Sequence, residues 1–182
     1  MTFRLFLPLL LVLAAGPVQA STPMSVEVNR NEDKAYTVEA AFEVTVDPQI
    51  VWAVLTDYEG ISGFVSSIRQ STVKRREAGR VVLEQHGVGK AWIVSVPMHV
   101  VLDVREQDGR VLMFRDLCGK SFSTYEGQWA ISTTGGRTRV TYWLKADPSG
   151  RQPAMFARPA IRGSVKKLLD EVRAEILARA AR

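Results

Sequence analysis

Residues 159–179 repeat apolar side chains at the spacing that aligns them along one face of an α-helix. The apolar side chains on this face are Ile161, Val165, Leu168, Leu169, Val172 and Ile176. Opposite charges four residues apart, Lys167 with Glu171 and Glu175 with Arg179, support the same helix. Pro159 suits its first turn, where a missing N–H has no partner in any case. Burying each apolar side chain is worth about 1.5–3 kcal/mol, so the helix requires a large apolar surface elsewhere in the chain.

That surface is predicted to be a β-sheet, because residues 36–146 lack a second long amphipathic helix and instead alternate apolar and polar side chains. The clearest alternation covers residues 36–46 and 92–104. Pro97 has no N–H to donate, which indicates a bulge or a sheet edge at that point. Turn signals at residues 107–109 and 134–136 join neighbouring strands, which must then be antiparallel.

A short helix is predicted after the first strand, since Asp47 is a good N-cap and Pro48 a good first helical residue. It would cover residues 49–56, with a further helical turn within residues 61–65. The expected architecture is therefore α+β: a curved antiparallel sheet of about six to seven strands facing one long C-terminal helix.

The N-terminus has the pattern of a secretory signal peptide over residues 1–20. Arg4 precedes an apolar run over residues 5–15, and the small-residue pattern ending at Ala20 suits cleavage before Ser21. The run is shorter than the roughly 20 residues that span a bilayer. We therefore expect a soluble periplasmic or secreted protein, with a loose segment over residues 21–34 and one domain over residues 35–182.

Composition limits the partners and the chemistry. The formal charge of +5 weakly favours contact with an anionic membrane surface, and nucleic acid is not expected as a partner of an exported protein. Two histidines, His86 and His99, and one cysteine, Cys118, show no metal-ligand spacing along the sequence. There is no Gly-x-Ser-x-Gly elbow and no phosphate-binding loop. We accordingly predict no metal, no cofactor and no catalytic residue, and an enzymatic role is less favoured than a binding role.

Large side chains are more numerous in the predicted sheet than one helix needs to cover. They would form either a solid core or a ligand cavity between the sheet and the long helix, and periodicity does not separate the two. The predicted apolar lining consists of Trp92, Val94, Met98, Phe114, Trp129, Leu168 and Val172. The candidate polar groups of the lining are Gln85, Arg115, Tyr125, Glu126 and Gln128, with Arg115 and Glu126 expected to pair across adjacent strands.

Three stretches carry a resemblance to a known family, the last of them the C-terminal helical stretch over residues 153–177. Val46-Asp47-Pro48-Gln49-Ile50-Val51-Trp52-Ala53-Val54-Leu55-Thr56-Asp57-Tyr58-Glu59 resembles the opening of START-like (SRPBCC) domains of the polyketide cyclase/dehydrase and coenzyme Q-binding protein branch. Phe122-Ser123-Thr124-Tyr125-Glu126-Gly127-Gln128-Trp129 is similar to a later strand of the same branch. The resemblance implies a helix-grip fold with a hydrophobic pocket, and ligands such as lipids, isoprenoid quinones or polyketides.

Three functions stay open at this point. The first is an exported carrier that holds a hydrophobic small molecule, such as a lipid or an isoprenoid quinone, in the cavity. The second is a cyclase/dehydratase-type enzyme in which Tyr125, Glu126 or Arg115 moves a proton or stabilises an oxyanion. The third is an interaction module with a filled core, whose basic helix face contacts acidic lipid headgroups. That face carries Arg158, Arg162, Lys166 and Arg173.

Overall fold

The alternating segments form eight strands of one antiparallel sheet in the computed structural model, which describes residues 23–91, 94–148 and 154–182. The strands are β1 (Ser25–Arg30), β2 (Tyr36–Val44), β3 (Ile68–Glu77), β4 (Arg80–Ala91), β5 (Val94–Gln107), β6 (Val111–Asp116), β7 (Phe122–Thr134) and β8 (Arg137–Pro148). Their order across the sheet is β1-β2-β8-β7-β6-β5-β4-β3. Every neighbouring pair is antiparallel, as the tight turns require.

Helices cover one face of this curved sheet. Helix α1 (Pro48–Leu55) is capped by Asp47, whose Oδ1 accepts a hydrogen bond from the Gln49 backbone N–H at 2.7 Å. A short 3₁₀ helix (Gly60–Gly63) follows, and the long helix α2 (Ala154–Ala180) ends the chain. Helix α2 approaches β1, β2, β4 and α1. The predicted α+β helix-grip fold is confirmed.

The sheet has two faces of different chemistry. We call concave the face toward the helices, which carries Val38 of β2, Leu83 of β4, Val104 of β5, Trp129 of β7 and Val140 of β8, all buried. The convex face is the opposite one. The apolar face of α2 packs toward the concave side, with Leu169 and Ile176 fully buried. These residues belong to one continuous apolar core.

The end of α2 is fastened to the loop after α1. Arg179 donates hydrogen bonds from Nε to Glu175 and from Nη2 to Asp57, at 2.7 and 2.6 Å. The Ser66 backbone N–H donates to a Glu171 carboxylate oxygen at 3.1 Å. The pairing of Glu175 with Arg179 expected from their spacing is therefore present, and it extends to a second element.

Three expectations need correction. The segment predicted to be loose, residues 21–34, contains β1, because Val26 and Val28 alternate with polar residues and pair with the edge of β2. The sheet consequently has eight strands rather than six to seven. Helix α2 begins at Ala154 rather than near Pro159, so the proline lies inside the helix, where its ring removes one hydrogen bond near the helix start.

Pro97 lies at an edge, one of the two expected alternatives. It is opposite Val88 of β4 in an unbroken register, whereas β6 pairs with β5 only from Leu102 to Gln107. The missing N–H therefore points away from a ladder. Residues 1–20, the predicted signal peptide, lie outside the described residues. No helix in the described part of the chain is apolar and long enough to cross a bilayer.

Candidate functional site

Aromatic rings gather on the concave face of β6, β7 and β8. We call this group the aromatic cluster, and it consists of Phe114, Phe122, Tyr125, Trp129 and Tyr142. The Trp129 and Tyr142 ring centroids lie 4.4 Å apart, and those of Phe122 and Tyr125 lie 4.5 Å apart. Phe114 joins the two halves, 5.7 Å from Tyr125 and 6.4 Å from Tyr142. Such offset contacts contribute beyond the apolar area that they bury.

Strand register explains the cluster. Trp129 of β7 is directly opposite Tyr142 of β8, and Phe114 of β6 is opposite Gly127 of β7. A Cβ atom at Gly127 would lie 2.5 Å from Phe114 Cζ and 2.6 Å from the carbonyl oxygen of Trp143. The glycine of the Tyr-Glu-Gly-x-Trp stretch therefore leaves the space that the Phe114 ring occupies.

Two phenols supply the polar chemistry of the cluster. Burial raises the pKa of Tyr125 to about 12, and burial raises the pKa of Tyr142 well above its usual value. The interaction between the two hydroxyl groups raises the pKa of Tyr142 further. Both side chains are protonated at neutral pH, Tyr142 within the core and Tyr125 half-buried beside it, and a phenol hydroxyl can act as a hydrogen-bond donor.

A second polar group on the concave side is satisfied within the protein. Gln85, which is buried, donates from Nε2 to Ser71 Oγ at 3.2 Å. The Ser71 hydroxyl donates to the Tyr58 carbonyl, and the Tyr58 hydroxyl donates to Glu106 Oε1 at 2.8 Å. Burial, followed by the Glu106 carboxylate, raises the pKa of Tyr58. These bonds hold β3, β4 and the loop after α1 together.

Most of the predicted apolar lining lies on the concave side or on the helix facing it. Phe114, Trp129 and Val172 are buried in the core, while Met98 and Leu168 are half-buried and pack against it. Tyr125 is also half-buried beside the core. Trp92 lies outside the described residues, and Val94 begins β5 but its side chain is outside the described part of the structure. Their role in lining a pocket stays a prediction.

Arg115 and Glu126 are placed differently from the prediction. Successive side chains of a strand point to opposite faces, so Arg115 points away from its neighbour Phe114, and Glu126 away from Tyr125. The two residues are register partners, but no ion pair joins them in the described ranges, and Arg115 Nε instead lies 3.6 Å from Asp103 Oδ2. Arg115 and Glu126 are therefore neighbours on adjacent strands, as expected, but without an ion pair between them, and their role in lining a ligand pocket stays a prediction.

Both side chains take part in a shallow depression of about 190 Å³. Its lining is Arg115, Asp116, Gly119, Phe122, Ser123, Thr124, Tyr125 and Glu126. Its volume is below that of a typical site for a drug-sized ligand, which is about 300–1,000 Å³. Phe122 and Tyr125 belong to both groups, so the depression adjoins the aromatic cluster, where we place the candidate ligand site.

Asp103 is buried on the convex face because arginines cover it. Its side chain is 1% exposed, and Arg80 Nε lies 2.6 Å from Oδ1. Arg115 and Arg105 approach Oδ2 at 3.6 and 3.9 Å. The hydrogen bond from Arg80 holds the pKa of Asp103 below its usual value. This group joins β4, β5 and β6 from outside the core.

Phe122, Tyr142 and Gly127 belong to the site but were not predicted as site residues from the sequence. Tyr142 was visible as an inward position of the alternation over residues 138–146, but only its register with Trp129 places it in the aromatic cluster. Gly127 carries no side chain, so only the position of the Phe114 ring shows its role.

Residues 35–177 match the model of the family described as "Polyketide cyclase / dehydrase and lipid transport". No curated protein matches the sequence. Solved structures with the same fold include TTHA0849 from Thermus thermophilus, with 20% identity and a TM-score of 0.68, covering 79% of this chain and 99% of that one.

Two further structures carry a description of what they do. The Zhui aromatase/cyclase from Streptomyces sp. R1128 is 17% identical with a TM-score of 0.65, covering 81% of this chain and 94% of its own. A STAR-related lipid transfer protein from Xanthomonas axonopodis is 16% identical with a TM-score of 0.62, covering 83% and 98%. At these identities the likeness shows the fold, which the enzyme and the transfer protein share.

Proposed function

The chain belongs to the polyketide cyclase / dehydrase and lipid transport family of the START-like superfamily, and from that premise we propose that it binds and carries a hydrophobic small molecule over the aromatic cluster. The observation that carries this proposal is the pair of protonated phenols, the half-buried Tyr125 and the buried Tyr142, set among aromatic rings on the concave face. An apolar wall with a few fixed polar groups is the usual form of a small-molecule site.

The donors indicate the chemistry of the ligand. Phenol hydroxyls among aromatic rings suit a carbonyl or hydroxyl oxygen on an otherwise apolar molecule. A lipid or an isoprenoid quinone meets this description. A ligand with a buried charge would need an opposite charge beside it, and the charged groups Arg115 and Glu126 lie on the other face.

We propose further that the carrier is exported. The pattern of residues 1–20 supports this proposal, and no other apolar run in the sequence is long enough to span a bilayer. Expression of the full chain in a bacterium with an outer membrane, followed by N-terminal sequencing of the periplasmic fraction, tests it. Cleavage near Ser21 is expected, and an intact N-terminus in the cytoplasm would exclude export.

Ligand binding is tested by native mass spectrometry of the purified protein and by titration with the neutral fluorescent probe N-phenyl-1-naphthylamine. Met98 is half-buried on the concave face, whereas Met113 is 38% exposed on the convex face. Met98→Trp should place a bulky ring on the concave face and weaken probe binding by at least about tenfold, a change of about 1.4 kcal/mol. Met113→Trp adds the same ring on the opposite face and should bind like the unmodified protein.

The two variants also separate specific from general binding. Equal loss in both variants, or equal retention, would show that the probe does not bind on the concave face. A protein that carries no co-purified lipid and binds no probe would refute the carrier proposal. A lipid released by extraction from the protein, and depleted in Met98→Trp, would identify the ligand class.

The structure brings together fewer candidate catalytic side chains than the enzymatic alternative assumed. An enzyme of this type requires at least two of Arg115, Tyr125 and Glu126 to converge inside a cavity. Only Tyr125 is on the concave face, although all three residues line the same depression. Tyr142 supplies a second phenol, so a proton donor to a ligand oxygen is chemically available. Incubating the extracted ligand with the protein distinguishes the two: a carrier returns the ligand with unchanged mass, whereas a dehydratase returns it with one water lost.

A further proposal is that the protein contacts an anionic membrane when it delivers its ligand. Arg158 and Arg162 are exposed on α2, and Lys166 is exposed but pairs with Asp170 at 2.7 Å. Co-sedimentation with vesicles that contain anionic lipid should be salt-dependent and should fall in Arg158→Glu/Arg162→Glu. Absence of binding at low salt would exclude this surface as a membrane contact.

A further inference from the structure

Three potential metal ligands converge on the convex face of β4 and β5. Glu84 Oε1 lies 2.9 Å from His99 Nε2 and 3.7 Å from His86 Nε2. One ligand atom from each of the three residues lies within 4.8 Å of the others. All three side chains are at least partly exposed, so an ion can reach them from solvent.

Strand pairing brings these residues together. His86 of β4 is the register partner of His99 of β5, and Glu84 lies two residues before His86 on the same face. The imidazole rings stack at 4.2 Å. The His99 backbone N–H donates to Ser121 Oγ at 2.9 Å, which helps to hold this part of β5. These are the two histidines of the chain, so both belong to one group.

We propose that Glu84, His86 and His99 form a binding site for a divalent transition-metal ion of the zinc class. Zinc bonds to histidine nitrogen and carboxylate oxygen are about 2.0–2.2 Å long, which separates tetrahedral ligand atoms by roughly 3.3 Å. The distances of 2.9 and 3.7 Å lie on either side of this value. Binding requires the stacked imidazoles to rotate so that both nitrogens face the ion, and water completes the coordination.

Imidazole and carboxylate ligands select the ion. This set of two nitrogens and one oxygen suits Zn²⁺, Cu²⁺ or Ni²⁺ better than Mg²⁺ or Ca²⁺, which prefer oxygen ligands alone. The earlier expectation of no metal cluster came from spacing along the sequence. His86 and His99 are far apart in sequence because they lie on different strands, and the hairpin brings them together.

Lys74 adjusts the site from the neighbouring strand β3. Its Nζ lies 3.2 Å from Glu84 Oε2, the oxygen that is farther from the histidines. By pairing with Oε2, the lysine orients the carboxylate so that Oε1 faces the imidazoles. Its positive charge also repels a bound cation, so its removal should tighten metal binding if the ion occupies this position.

The test uses the chain without residues 1–20, the predicted signal peptide, and without a histidine tag. Calorimetric titration with ZnCl₂ should give one ion per chain, and the Zn²⁺ should shift the ¹H–¹³C resonances of both imidazoles. His86→Asn, His99→Asn and Glu84→Gln should each weaken binding by at least about tenfold. Lys74→Gln should tighten it, whereas Lys166→Gln, which removes the same charge from α2, should leave it unchanged.

Several results would overturn the proposal. One is the absence of heat and of imidazole shifts at about 1 mM Zn²⁺, the range of weak binding. Another is a shift of only one imidazole, which would place the ion elsewhere. Unchanged affinity in His99→Asn would do the same. The resonance shifts are measured on the unmodified protein, so the test holds even if a variant does not fold, and it is independent of ligand binding on the concave face.

Discussion

Side chains on the concave and convex faces of the same strands are buried in different ways. On β5, Val100, Leu102 and Val104 are buried under the helices as part of the apolar core. Between them on the convex face lies Asp103, which is buried under arginine side chains. An apolar side chain needs no specific partner when it is buried away from water, whereas a buried carboxylate needs one. The comparison shows that adjacent residues of one strand can serve two unrelated sites.

The difference extends to what each face can bind. The concave face offers rings and two protonated phenols, and the convex face offers charged and metal-ligating groups around Asp103 and Glu84. A hydrophobic ligand and a metal ion would therefore bind on opposite sides of the sheet, without competing for a residue. Each face can be altered alone, and three comparisons between variants test this separation.

The largest effect is expected for a pair of tryptophans on adjacent strands. Trp129 is 9% exposed on the concave face, and Trp143 is 38% exposed on the convex face. Trp129→Ala should lower the free energy of unfolding by about 3–5 kcal/mol, and Trp143→Ala by about 1 kcal/mol. Urea unfolding followed by circular dichroism measures both. Equal losses would contradict the assignment of the core to one face.

A smaller effect is expected where the aromatic cluster meets the backbone. Gly127→Ala introduces a Cβ that meets both the Phe114 ring and a backbone oxygen, so it should cost about 1–3 kcal/mol and weaken probe binding. Gly89→Ala on β4 is the matched control, because its Cβ would meet no atom within 4 Å. Thermal unfolding compares them. If the two substitutions cost the same, steric contact with Phe114 is not the reason for the glycine.

The smallest effect concerns the convex face and depends on pH. Asp103→Asn removes charge-assisted hydrogen bonding to Arg80, and we expect a loss of about 1–2 kcal/mol at pH 7. Because the folded-state pKa of Asp103 is lowered, its contribution is complete above the unfolded value of about 3.9 and is lost as the pH falls through the folded value.

The stability of the unmodified protein should therefore decrease below about pH 4 more steeply than that of Asp103→Asn. Urea midpoints measured between about pH 2 and 7 give the comparison, with Trp129→Ala as a control whose pH dependence should match that of the unmodified chain. Parallel curves for Asp103→Asn and the unmodified protein would show that the arginines do not stabilise the ionised carboxylate.

Much of the fold was predictable from periodicity. The apolar stripe from Ile161 to Ile176 indicated a helix packed on a sheet, and the Asp47-Pro48 pair indicated the start of α1. Strand β1 was missed because its six residues carry only two buried side chains, Val26 and Val28. A short edge strand becomes ordered through its pairing with β2, which a local pattern does not contain.

The candidate site was predictable only in part. Phe114, Trp129 and Val172 were identified because large apolar residues at regular spacing point inward. Arg115 and Glu126 were predicted as lining residues beside their neighbours Phe114 and Tyr125, although the alternation of a strand places adjacent side chains on opposite faces. The period of two was itself sufficient to place both charges on the convex face.

The sequence alone determined which side chains of each segment share a face, because the periods of strands and helices depend only on local backbone geometry. That established the α+β class, the stripe of α2 and the apolar character of the concave face. The tertiary structure decided which residues of different strands meet: Trp129 with Tyr142, Arg115 with Asp103, and His86 with His99. Register and strand order arise from contacts between distant segments, and no local pattern specifies them.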